Sequence, residues 1–343
     1  METHFLCQPK EMIYSVSACK DDCGKFIEIN FLLTHLPCRF ALTKSGAGAL
    51  TLSGANTYTG GTTISGGTLA LTSSGTLGSS TPAALSISTG ATLDIQRALD
   101  LVLSTLTMSG TASITNSTGA ATSLTVNGAA GISGTITTKN NQTYSGIVTL
   151  RGNTTLTSTN GNIVFDDQIK SITDKTYSLT ISGALGTVTI NGAVGGNFSG
   201  TTLTSAARIN ELSITAALIN LNADIWTGSS QIYTGPVLVG GNNAGVTGYL
   251  YDHYIAVTPS LPVSATPALY LNSQLYARTL ISEDPLVQFN GKVDDANTGT
   301  HSLLVAAISS PSTPSPEVDF NEAIGSTSKL YGINTQTIQR TGS

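Results

Sequence analysis

Charge is what this sequence has least of. Only 10% of its 343 residues are Asp, Glu, Lys or Arg, against about 25% in an ordinary globular chain. The 15 Lys and Arg form no basic stripe and the net charge is −5, so nothing electrostatic speaks for nucleic acid as a partner. Aromatic residues make up 6%. No apolar run approaches the roughly 20 residues of a membrane-spanning helix. Evenly spaced strands of about ten residues with aromatic girdles, the mark of a membrane barrel, are also missing. Cysteine is confined to Cys7, Cys19, Cys23 and Cys38. A body free of cysteine suits a chain exported unfolded through an oxidising compartment, where stray disulfides would trap it.

Signatures of catalysis are equally scarce. The sequence holds no Gly-x-Ser-x-Gly elbow, no His-Glu-x-x-His helix, no phosphate-binding loop and no calcium nonapeptide. Asp166-Asp167 and Asp294-Asp295 are adjacent acids, and neighbours on a strand point to opposite faces, so each pair reads as a solvated corner. His253 and His301 stand alone. Cys19 and Cys23 have a permissible ligand spacing, but no second close pair accompanies them. The expectation is a protein that is not an enzyme, with no catalytic, cofactor-binding or metal site. Asn116, Asn141, Asn153 and Asn197 fit the glycosylation sequon by chance in so Thr- and Ser-rich a chain.

What fills the chain is Thr, Ser, Asn and 36 Gly, beside 40% apolar residues. Enough Val, Ile and Leu remain to build a core. Their alternation with Thr and Ser is the period of a strand. The chain reads as all-β. Residues 97–106 (RALDLVLSTL) alone carry a pattern that suits a helix, read as a short excursion.

Leu50-Thr51-Leu52 returns nineteen residues later as Leu69-Ala70-Leu71. Between the copies stand Ser53-Gly54, Gly60-Gly61 and Gly66-Gly67, each a turn signal. A chain that turns so often and comes back to one pattern is coiling, each lap laid on the last. Leu42-Thr43-Lys44, Gly46, Gly48, Leu50 to Gly54, Asn56 to Thr63 and Gly67-Thr68-Leu69 together resemble the autotransporter-associated β-strand repeat, the passenger-associated transport repeat of bacterial surface proteins. The resemblance implies a β-helical passenger displayed outside a bacterial cell. It further implies an outer-membrane translocator barrel as partner, which this chain does not contain.

Residues 1–41 differ from the rest and read as an atypical segment, poorly ordered or a cap. Residues 42–343 read as the repeat region, cut short at its C-terminus. Short strands are expected at Thr92–Ile95, Leu106–Met108, Leu124–Val126 and Val148–Leu150. Gln142-Thr143-Tyr144 returns as Gln231-Ile232-Tyr233, and a Phe-Asn-Gly-x-Val cassette recurs at Phe165, Ile190, Phe289 and Phe320. This cassette resembles those of filamentous haemagglutinin-like surface proteins. Tyr58, Tyr144 and Tyr233 stand 86 and 89 residues apart, which also suits tandem immunoglobulin-like sandwiches of about 100 residues. The preferred fold is a right-handed parallel β-helix (β-solenoid) with a loop or hairpin excursion near 240–285. Laps of about 20 residues give roughly fifteen laps.

The resulting function is a structural stalk or adhesin segment at the cell surface or secreted. A polysaccharide-active β-helix enzyme is the alternative of another class. Tyr249, Tyr251 and Tyr254 in the excursion offer aromatic faces with polar tips, a residue type enriched at recognition surfaces. They are the candidates for contact with host matrix or glycan.

Overall fold

The computed structural model describes residues 12–17, 40–56, 58–78, 82–195, 197–199, 202–204, 207–240, 276–282, 286–295, 301–309, 317–327 and 332–339. Among them every regular element is a strand. All strand pairings are parallel except that of Asn197–Ser199 with Thr202–Thr204. Parallel pairing rules out tandem sandwiches, whose sheets are antiparallel.

The strands stack into three walls. The first face climbs from Leu42 through Thr62, Leu85, Leu106, Ala130, Val148, Ile169, Val194 and Ile225 to Leu280, Val305 and Thr335. The second climbs from Leu50 through Leu69, Leu93, Ile114, Ile136, Leu156, Ile181 and Ile214 to Tyr233, Phe289 and Phe320. The third joins Leu103, Val126, Tyr144, Phe165, Ile190, Leu221 and Val239. A lap visits the three in turn, giving a parallel β-helix of triangular section. Met12–Ser17 pairs in register with Phe40–Ser45 and extends the first face at its beginning.

Laps are unequal, and the described residues hold fewer than the expected fifteen. Eighteen residues separate Ala130 from Val148, but thirty-one separate Val194 from Ile225. The pairing fixes only what happens in the walls, so corners absorb the extra chain. The widest step is from Ile225 to Leu280. Within it the strand of the third face ends at Val239 and the first face resumes at Tyr276, while the third face itself continues at Val293–Asp295. The expected excursion, Tyr249, Tyr251 and Tyr254 included, falls mostly outside the described residues, as do all four cysteines.

Inward positions are a continuous ladder of Leu, Ile and Val, with Leu52 and Leu71 among the buried residues. Burying each such side chain contributes about 1.5–3 kcal/mol. Threonine and serine occupy the outward positions, where β-branching favours the extended backbone.

The stretch that reads as helical is a strand. Leu101–Met108 buries Leu101, Leu103, Leu106 and Met108 and exposes Thr105. It bends between the third and first faces at Ser104-Thr105, where its pairing with Ala83–Ile87 shifts register. That bend slips the in–out phase by one residue. The five apolar residues of its eight positions then break the alternation, and the pattern mimics a helical period.

Candidate functional site

The stretch from Leu42 to Leu71 is one and a half laps, and its polar residues hold corners. Lys44 is fully buried. Its Nζ donates to the carbonyls of Ser45, Gly46 and Gly66 at 3.0, 2.8 and 2.9 Å, which ties two successive corners together. Burial pulls its pKa below the usual lysine value, and the three carbonyl acceptors oppose that pull by solvating the charged form. Gly67 lies at φ +65°, and a Cβ there would sit 2.2 Å from the Gly48 carbonyl oxygen. Only glycine allows so close an approach.

Asn56 and Thr76 make the matching clasp on the third side. Asn56 Nδ2 donates to the Gly54 and Thr76 carbonyls, both at 3.0 Å. The Asn56 amide donates to Thr76 Oγ1 at 2.8 Å. Tyr58 is buried with its hydroxyl 2.7 Å from Thr62 Oγ1, and burial raises its pKa to about 12.

The repeated Gln-x-Tyr is another interior clasp. Tyr144 OH donates to Gln142 Oε1 at 3.0 Å, and Gln142 Nε2 donates to Thr138 Oγ1 at 3.2 Å. Tyr233, Gln231 and Thr227 repeat the arrangement at 2.9 and 3.2 Å. Each ring stacks on the next lap: Tyr144 on Phe165 at 5.2 Å, Tyr233 on Phe289 at 5.1 Å, and Phe289 on Phe320 at 4.9 Å. Tyr144 lies on the third face and Tyr233 on the second. The long sequence repeat is therefore one local recipe used at two edges. It does not mark a larger period.

The Phe-Asn-Gly-x-Val cassette is a corner. Asn222 donates to Asn191 at 2.8 Å and Asn191 to Asp166 at 3.1 Å; Asn321 likewise donates to Asn290 at 2.7 Å. Asp166 and Asp167 sit on this exposed corner, and Asp167 accepts the Gln168 amide at 2.7 Å. Asp294 departs from the expected solvated corner. It lies in the strand Val293–Asp295, is 6% exposed, and accepts the Thr327 amide at 3.1 Å. Asn116 closes its own turn with Ala120, and Asn141 and Asn153 accept amides of the following lap. His301 opens the strand His301–Ser309; His253 lies outside the described residues.

Two charged clusters carry no signal in the sequence. Asp94 accepts Gln96 Nε2, Ser117 N and Ser117 Oγ at 2.7, 3.0 and 2.7 Å. Burial alone would raise its pKa, but these hydrogen bonds outweigh it and hold the carboxyl below the usual range. Asp174 forms a two-pronged pair with Arg208, at 3.0 Å to Nε and 2.6 Å to Nη2. The guanidinium lies 4.5 Å over the Trp226 ring. Burial again opposes, and Arg208 again prevails, in lowering the Asp174 pKa. Thirty-four residues separate the partners, and no local pattern could announce their meeting. Among the described residues no three His, Cys, Asp or Glu gather to hold a metal ion.

Residues 42–71 match the passenger-associated-transport-repeat family. No curated protein and no solved structure matches the chain.

Proposed function

We propose that this chain, which carries a passenger-associated transport repeat at residues 42–71, is the stalk of an autotransporter-type passenger on a bacterial surface, with an adhesive role and no catalysis. One observation carries the reading. Parallel pairing passes from lap to lap along the first face from Phe40–Ser45 to Gly332–Gln339, by isolated bridges at Val194, and each lap bonds only to its neighbours. Such a stack can fold lap by lap as it emerges from a translocator barrel. The finished rod then holds any looped site away from the membrane. Contact with host matrix or glycan is assigned to the tyrosines of residues 249–254.

The test is to fuse the full chain between a secretory signal and an outer-membrane barrel. The expected outcome is a protease-accessible rod outside the cell that confers adhesion to matrix- or glycan-coated surfaces. Adhesion is expected to fall when Tyr251 and Tyr254 both become Ala. A chain retained in the periplasm contradicts the stalk reading. Unchanged adhesion of the double variant contradicts the site.

A further inference from the structure

The second face has a feature that its role as a wall does not require. Its strands turn two side chains outward per lap, and in successive laps both are hydroxyl residues: Thr135 and Thr137, Thr155 and Thr157, Thr180 and Ser182, Ser213 and Thr215. The pairing puts them in two rows in register, Thr135 on Thr155 on Thr180 on Ser213, and Thr137 on Thr157 on Ser182 on Thr215. Laps are spaced about 4.8 Å apart, and alternate residues of a parallel strand about 6.6 Å. The result is a two-dimensional grid.

All eight side chains are exposed or half-exposed. Among the described residues their hydroxyls make no hydrogen bond to the protein. One row is bounded on both sides: Thr92 and Ser113 spend their hydroxyls on each other at 2.8 Å before it, and Ile232 replaces the next hydroxyl after it, while the other row continues to Thr234. Strand propensity alone would place Thr outward on every face. The same laps present Gly131, Thr149 and Lys170 on the first face and Thr143, Val164 and Thr189 on the third, so an uninterrupted hydroxyl array belongs to the second face.

A regular grid is matched only by a partner with its own two-dimensional repeat. Recognition surfaces for organic partners are enriched in aromatic residues with polar tips, and the grid has no ring. A second copy laid face to face would have to desolvate all eight hydroxyls and re-pair them across a flat contact, with no large apolar side chain on the grid to drive it. Solid water has neither difficulty. Each hydroxyl anchors one water at a fixed point, and the Thr methyls exclude mobile water between the anchors. The anchored layer then offers a two-dimensional lattice of waters from which solid water can grow. We propose that the second face between Thr135 and Thr215 binds ice. This goes beyond the stalk reading and does not depend on it.

The test uses the purified full chain in nanolitre osmometry, with circular dichroism to confirm the β fold. The expected result is faceted crystals and a gap between melting and freezing that widens with protein concentration. Thr155→Lys with Thr180→Lys should lose most of that gap, as should Thr155→Tyr, a variant of unchanged charge. Thr149→Lys, on the first face of the same lap, should keep it. Rounded, freely growing crystals from folded wild-type chain overturn the proposal. So does equal activity in the folded second-face variants. Sedimentation of the wild type with crystalline cellulose, or self-association, without ice shaping also overturns it.

Discussion

At the scale of single residues, the polar groups with most to explain are the buried ones. Lys44, Asn56 and Gln142 each satisfy groups on two laps, so buried polarity, with one charge among it, stands where successive laps must be tied together. The acids follow the same logic and make the fold pH-sensitive in a defined direction. Asp94 and Asp174 are held below their ordinary value of 3.8 in the folded state. A depressed carboxyl contributes stability that is fully present above the unfolded pKa and is lost as pH falls through the folded one. The melting temperature should therefore be level from neutral pH to about pH 5 and fall below about pH 4. Thermal scans across that range check this, and Asp94→Asn should flatten part of the acid-side slope. A melting temperature unchanged down to pH 2 would contradict it. None of these partnerships was legible in the sequence, because Ser117 and Arg208 come from neighbouring laps. Lys44 stood inside the recognised motif, but its role depends on the Gly66 carbonyl one lap on.

At the scale of elements, walls were legible and corners in part: the glycine pairs at 60–61 and 66–67 announced turns, but not how much chain each corner holds. Short alternating runs such as Leu124–Val126 and Val148–Leu150 read directly as strands, since a wall needs only period two. Leu101–Met108 misled because it crosses a corner without leaving the extended backbone, so its phase breaks at Ser104. Glycine marks where corners stack closely. A Cβ on Gly291 would lie 2.0 Å from the Gly235 carbonyl oxygen, whereas one on Gly54 would meet nothing within 4 Å. Gly291→Ala should then cost about 1–3 kcal/mol by forcing the laps apart. Gly54→Ala should change stability by less than about 0.5 kcal/mol, as a surface substitution does. Urea unfolding of the two variants separates them. Equal midpoints would mean that corner stacking does not limit the fold.

At the scale of the whole molecule, the coil followed from the nineteen-residue return of Leu50 at Leu69. The lap count did not follow, because corner insertions leave the pairing untouched. The spacing of Tyr58, Tyr144 and Tyr233 suggested a larger unit. That spacing dissolves once Tyr144 and Tyr233 are placed on different walls. What the rod provides is reach with neighbour-only contacts, the property a surface stalk needs. The most direct measurement is a spin-label distance between Ser86 and Lys170, in a variant whose four native cysteines are Ser. These positions are 84 residues apart in sequence. They stand on one outward ladder through Thr107, Gly131 and Thr149. Four laps at about 4.8 Å place their backbones about 19 Å apart. A narrow distribution consistent with that separation is the predicted result, and a broad one centred far beyond it would contradict the stacked helix and the stalk built from it.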